Sequence, residues 1–276
     1  MGSYSPSPDP ELISPEPEYI PPATPARQPR PGWMVSPATY ILIGINCLVF
    51  LAMTLTRVSL WSPTGEQLLY WGGNHAGHVL VLGEWWRIVT AMFVHVGIIH
   101  LATNMWCLWN LGLLAEPLLG TAGLLVAYIL TGASGNLLST CIYWIWPLHE
   151  QGQVMYPVGA GASGAVFGIA GVLIVLLKSP RLPVPQTELS KLRRSVIWFA
   201  AINLMIGFAT MAPGFGVHID NMAHLGGFCC GLIFAAPLVP RLGSPKQLFA
   251  VRRRLAVSMV VVILTLFAFF IDQLSG

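Results

Sequence analysis

Ser163 is the residue around which chemistry can be built. It lies in Gly159-Ala160-Gly161-Ala162-Ser163-Gly164-Ala165-Val166-Phe167-Gly168, at the opening of an apolar run that continues to Leu177. Its neighbours are too small to shield it, and a hydroxyl buried in lipid costs free energy unless it finds a partner. Small residues also let other backbones come close. Two stretches offer partners. In His95-Val-Gly-Ile-Ile-His100-Leu-Ala-Thr-Asn104, His100 and Asn104 are four apart and share a helix face. In Asp220-Asn221-Met222-Ala223-His224-Leu225-Gly226-Gly227 and on to Gly231, His224 shares a face with Gly227 and Gly231. A histidine within reach of a serine hydroxyl turns it into a nucleophile. His224 would take the Ser163 proton and return it to a leaving amine. The free N–H groups where the Ser163 helix begins favour a developing oxyanion, and His100 and Asn104 could donate to the same oxygen.

The elements that must hold these groups are membrane helices. The 276 residues are 55% hydrophobic and 9% charged, with a mean hydropathy of +0.68. An ordinary soluble domain is about a quarter charged. The expected fold is therefore all-α, a polytopic transmembrane bundle whose main solvent and partner is the lipid bilayer, with no nucleic acid partner. Seven apolar segments stand out, near Ala38–Thr56, Ile88–Leu114, Leu119–Cys141, Gly161–Leu177, Val196–Met211, Asn221–Val239 and Leu255–Ile271. The fourth and fifth are short for a span of about 20 residues, which predicts shielding by neighbours. Residues 1–37 hold eleven prolines and four acids and read as a disordered cytoplasmic tail. Residues 38–240 read as a six-helix core, and residues 241–276 as a basic cytoplasmic linker with a seventh helix.

Charge sets the orientation. With the N-terminus inside, twelve of the fourteen lysines and arginines fall on the cytoplasmic side and only Arg57 and Arg87 outside. Depth follows from the same ends. Ser163 is fifteen residues from Lys178, His224 seventeen from Arg241 and His100 sixteen from Glu116. At the rise of a helix, all three lie about 22–26 Å above the inner face. Three polar groups from three helices at one level suggest a cavity open to the outer water. Gly164 and Gly168 in the fourth segment, and Gly227 and Gly231 in the sixth, both have GxxxG spacing. Crossing there would bring Ser163 beside His224.

Other residues weigh less. Asp220 shares the His224 face and could orient the imidazole, but an acid at the outer membrane edge is better read as solvated. Phe167 lies one turn below Ser163 and could stack on the imidazole or simply fill the core. His95 reads as a satisfied polar group one turn nearer the surface, bracing the outer loop. His149 and His218 have no argued role, and His75 and His78 lack the further ligands a metal would need. Trp61, Trp71, Trp85 and Trp86 suit an outer loop in the headgroup region. Cys47, Cys107, Cys141, Cys229 and Cys230 read as free, buried thiols. No metal or cofactor is expected.

Together these residues resemble the rhomboid intramembrane serine proteases. The likeness rests on Gly161-Ala162-Ser163-Gly164, on Ala223-His224-Leu225-Gly226-Gly227 through Gly231, on the His95, His100 and Asn104 cluster, and on Trp86-Arg87 in the first loop. It covers about residues 38–240. The resemblance implies a Ser163 nucleophile, a His224 general base, and an oxyanion hole of Asn104, His100 and the Ser163 backbone N–H. It implies that Arg87 shapes the first loop and that Glu116 is a structural acid between the second and third spans. It also implies a cap at Ala212–Ile219 and lateral substrate access beside the fifth span. The substrates would be transmembrane proteins, cut on the extracytoplasmic side. Rival readings are a catalytically silent rhomboid-like protein that binds membrane clients, a transporter, and a histidine metal site. The first usually lacks the serine or the histidine, the second would show internal repeats, and the third wants acidic or thiol ligands. Short loops and the lack of a long targeting prefix favour a bacterial inner membrane.

Overall fold

The computed structural model describes residues 1–2, 32–150, 153–210 and 219–275. Residues 3–31 of the proline-rich tail, and residues 212–218 of the expected cap with His218, lie outside the described residues. The helices below all belong to the compact unit Gly32–Gly276.

The bundle begins where a carboxylate waits for it. After a single turn at Gly32–Val35, α1 runs Pro37–Leu55 with proline in its first turn, where the missing N–H is no loss. The next two N–H groups, of Ala38 and Thr39, donate to the Glu116 carboxylate at 2.8 and 2.9 Å, and the Thr39 hydroxyl donates to it at 2.8 Å. Thr121 supplies a further hydroxyl at 3.0 Å. Glu116 is thus a buried acid placed at a helix N-terminus, where the helix dipole favours negative charge.

The loop that follows α1 is folded rather than slack. It holds short helices at Gly65–Tyr70, Ala76–Leu80 and Arg87–Thr90 and a 3-10 turn at Ala91–Phe93. Thr64 and Gln67 form a capping box on the first. Arg87 is buried, donating to the carbonyls of Leu69 and Gly73 and to Glu84. Of the four tryptophans, Trp61 and Trp86 are exposed, while Trp71 and Trp85 pack on the core.

The second apolar segment departs from expectation. It is not one helix from Ile88. The chain breaks at Gly97, whose φ of +96° disfavours any side chain and brings its Cα against the Trp61 carbonyl. The helix α2 spans Ile98–Leu119, and α3 follows after Gly120 as Thr121–Ile145. A two-stranded hairpin, β1 Leu148–Glu150 with β2 Gln153–Met155, then leads toward Ser163.

The fourth helix, α4 Ser163–Leu176, has 14 residues and would be about 21 Å long. It is too short to face lipid along a full span, and it does not need to. Ala165, Ile169, Ala170, Val172, Leu173 and Leu176 are wholly buried. The fifth, α5 Gln186–Ala209, reverses the prediction of shielding. It has 24 residues, because Gln186–Ser195 extends the apolar part with a charged turn, and only 17% of its apolar window is buried. The sixth, α6 Asn221–Ala235, continues as a 3-10 turn to Arg241, and α7 spans Lys246–Ser275. Among the described residues, six helices are long and apolar enough to cross a membrane, and α4 is the shorter seventh. Cys141 and Cys230 are buried thiols, but Cys47 and Cys229 lie on outward faces, a correction to their sequence reading.

The centre is a backbone contact between α4 and α6. A methyl group on Gly227 would run into the Gly164 carbonyl, and one on Gly231 into that of Gly168. Gly171 meets the Phe228 carbonyl in the same way, and Gly135 brings α3 against Ala223.

Replacing Glu116 with alanine should strand two buried backbone donors and lower stability by about 3 kcal/mol. Glu116→Gln, which keeps an acceptor, should lose less; unfolding followed by circular dichroism in detergent gives both values. In the outer loop, Arg87 first and His78 second hold the Glu84 carboxyl below its usual range. Its contribution is present above the unfolded carboxylate value and is lost as pH falls through the lowered one. Loop protection in hydrogen exchange should therefore weaken in acid, and that acid step should vanish in Glu84→Gln.

Candidate active site

Ser163 is the first residue of α4 and is half-buried. The turn that delivers it depends on Gly161, whose φ is +133°. A side chain there would press on the His100 ring, with Cε1 at 2.6 Å, and would approach the Asn104 amide nitrogen at 3.7 Å. The His100 and Asn104 face of α2 therefore reaches the backbone two residues before Ser163. Gly161 N–H donates to the Ala91 carbonyl at 2.9 Å, which fixes that turn from the other side.

The tautomer of His100 follows from its partner. Its Nδ1 accepts from the Val96 N–H at 3.4 Å, so a neutral ring carries its proton on Nε2, the atom turned toward Gly161. Asn104 Nδ2 donates to the His100 carbonyl at 3.1 Å, a bond within its own helix. Both side chains carry their N–H groups on the side that faces Gly161, two residues before Ser163.

His224 sits in the first turn of α6 and is buried. It stacks on Phe167, ring centroids 4.2 Å apart and planes within 9°. Phe167 in turn touches Phe199 of α5, 5.9 Å between centroids. Because Phe167 is one turn along α4 from Ser163, the stack ties the imidazole to the serine's own helix. Among the described residues His224 Nδ1 has no hydrogen-bond partner, and no hydrogen bond joins His224 to Ser163. Bonds of this kind are commonly loose until substrate is bound.

Asp220 does not orient the imidazole. Its carboxylate caps α6, accepting from the Ala223 N–H at 3.0 Å, and it also accepts from the Ser139 hydroxyl. It is a placed acid rather than a merely solvated one. His95 also differs from its sequence reading. It lies before α2, not on it, is wholly buried, and its Nε2 accepts from the Ala162 N–H at 3.5 Å, with its ring 5.3 Å from that of His100. The break at Gly97 turns it under the Ser163 segment. Sequence reading also passed over Asn74, a buried residue paired with Gly159. One asparagine in a glycine-rich loop carries no periodic signal.

The comparisons bear on this geometry. The Rhomboid domain model matches residues 82–241, which contain all four candidate residues. The chain belongs to the rhomboid family. It is accordingly an integral, multi-pass membrane protein with a helical rhomboid bundle. It is similar to rhomboid protease GluP of Bacillus subtilis, 33% identical over 75% of this chain and 36% of that protein. It is similar to rhomboid protease AarA of Providencia stuartii, 28% identical over 71% of this chain and 70% of that one. Rhomboid-like protease 2 of Toxoplasma gondii is 29% identical over 75% of this chain. The chain spans about a third of the length of the Bacillus relative. Relatives of this rhomboid are thus named as proteases, which supports intramembrane proteolysis as the family's general activity.

Gly161→Ala should cost about 1–3 kcal/mol of backbone strain. It should also push the His100 ring from its place. A lowered melting temperature, together with a shifted His100 imidazole signal by NMR in micelles, is the expected result.

Proposed function

We propose that this rhomboid is a serine endopeptidase that hydrolyses a peptide bond in or near a transmembrane segment of another membrane protein. Ser163 is the nucleophile and His224 the general base of a dyad, with no metal or cofactor. The observation that carries the reading is the His224 stack on Phe167 across the Gly164–Gly227 and Gly168–Gly231 contacts. It puts an imidazole beside the helix that starts with the serine.

His224 accepts the Ser163 proton as Oγ bonds to the substrate carbonyl carbon. The carbonyl oxygen becomes an oxyanion, facing the N–H groups of the first turn of α4 and the side chains of His100 and Asn104. The C–N bond then breaks, and His224 gives its proton to the leaving amine. Water, deprotonated by the same imidazole, frees the acyl chain. Among the described residues no acid meets His224 Nδ1, so the flat face of Phe167 holds the ring. The positive-inside charge pattern supports an N-terminus in the cytoplasm and a site open to the extracytoplasmic side, and the short loops favour a bacterial inner membrane.

A helix hides its carbonyls in its own hydrogen bonds, so the substrate must unwind near the cut. Glycine-containing spans should be cleaved faster than an uninterrupted poly-leucine span. In liposomes, wild type should cleave a labelled transmembrane substrate, and Ser163→Ala and His224→Ala should not. Asn104→Ala, which takes away one oxyanion donor, should lose about 10²–10³ in kcat. Phe167→Ala should cut kcat while Phe167→Tyr keeps it. Cleavage by all three of wild type, Ser163→Ala and His224→Ala would defeat the assignment. Reactivity of Ser163 with a fluorophosphonate separates a protease lacking its substrate from a silent client-binding protein.

A further inference from the structure

The serine and the histidine come from different helices, and the α4–α6 contact alone leaves their outer ends to be registered. Both ends are tied to a third helix that carries neither residue. Four positions before Ser163, Gly159 makes a reciprocal backbone pair with Asn74, N–H to carbonyl at 2.7 and 2.8 Å. The Asn74 amide then donates to the Asn136 carbonyl at 3.1 Å, and its oxygen accepts from Thr140 at 3.1 Å. Four positions before His224, Asp220 accepts from Ser139 while capping α6 at Ala223. Asn136, Ser139 and Thr140 occupy one outer turn of α3. The two anchors lie close together, since a side chain on Gly159 would contact both the Asp220 carboxylate and Asn74. Asn74, Asn136 and Thr140 are buried, so the Asn74 bonds form where water does not compete, while the Ser139–Asp220 bond is part-buried.

We infer that Asn74 and Asp220 are positioning residues which, through the outer turn of α3, set the spacing between Ser163 and His224. The inference rests on the dyad reading above. Asn74 holds the segment that leads to the nucleophile, and Asp220 caps the turn that contains the base. Neither touches the reacting atoms. Loosening either anchor lets one partner drift, and a misplacement of about 1 Å costs on the order of 10²-fold in rate.

The test uses the full chain in detergent, with kcat and KM for a transmembrane substrate, the rate of Ser163 labelling by a fluorophosphonate, and the melting temperature. Asn74→Ala and Ser139→Ala should each lower kcat, by about 10- to 100-fold for the former, with KM within about twofold. The double variant should lose less than the product of the two, because both act on one distance. Asp220→Asn, an equally good cap whose amide can also bond Ser139, should restore most of what Asp220→Ala loses. Should Asn74→Ala fail to fold, Thr140→Val subtracts a single bond at nearly constant shape and should show a smaller loss in kcat. Rates that fall only in step with the unfolded fraction, losses that multiply, or a change confined to KM would each overturn the inference. A wild type whose Ser163 neither labels nor cleaves would instead overturn the dyad reading, and this inference with it.

Discussion

Everything at the site depends on two helices touching backbone to backbone. In lipid no hydrophobic force drives helices together, so van der Waals contact and shape must do it. At Gly164 and Gly168 on α4, and Gly227 and Gly231 on α6, the contact leaves no room for even a methyl group. The same closeness brings Phe167 flat against His224, because both project from the contacting faces. Any larger residue at the crossing would widen it and part Phe167 from His224.

The contact also explains why α4 is short. A helix surrounded by protein need not match the bilayer, and α4 is covered by α2, α3, α5 and α6. Its first turn can therefore begin inside the bundle, beside the buried His95 and His224. The chain above it must then descend without regular structure. That descent is tolerated because its polar groups are met, at Gly159 by Asn74, at Gly161 by Ala91 and at Ala162 by His95. Gly97 serves the same end on the opposite wall, releasing His95 from the helix that holds His100 and Asn104.

What could be read from the sequence was what repeats. Helices announce themselves as apolar runs, and the glycine pairs at GxxxG spacing do in fact face each other across α4 and α6. What escaped was set by single residues acting over long separations. The apolar composition of Ile88–Leu114 carried no trace of the break that Gly97's backbone imposes. Asn74 meets Gly159 eighty-five positions away, and Asp220 meets Ser139 eighty-one away, with no local pattern to mark either pair. The fifth segment misled for another reason. Its charged first turns are helical but sit outside the apolar window, so a short hydropathy run concealed a long helix with little cover.

That thin cover has a chemical consequence. Of the helices lining the site, α5 is held least by the rest of the bundle, and Phe199 is its contact with the Phe167–His224 stack. The other walls are fixed by glycine contacts or by buried hydrogen bonds that would be costly to open. On the proposed reading of the site, α5 is therefore the wall that yields most easily to a substrate helix arriving through lipid. Displacing α5 exposes apolar surface to other apolar surface, a change with little free energy attached in a bilayer. The polypeptide thus puts its closest contacts around Ser163 and His224, and its thinnest cover among the helices lining the site along α5.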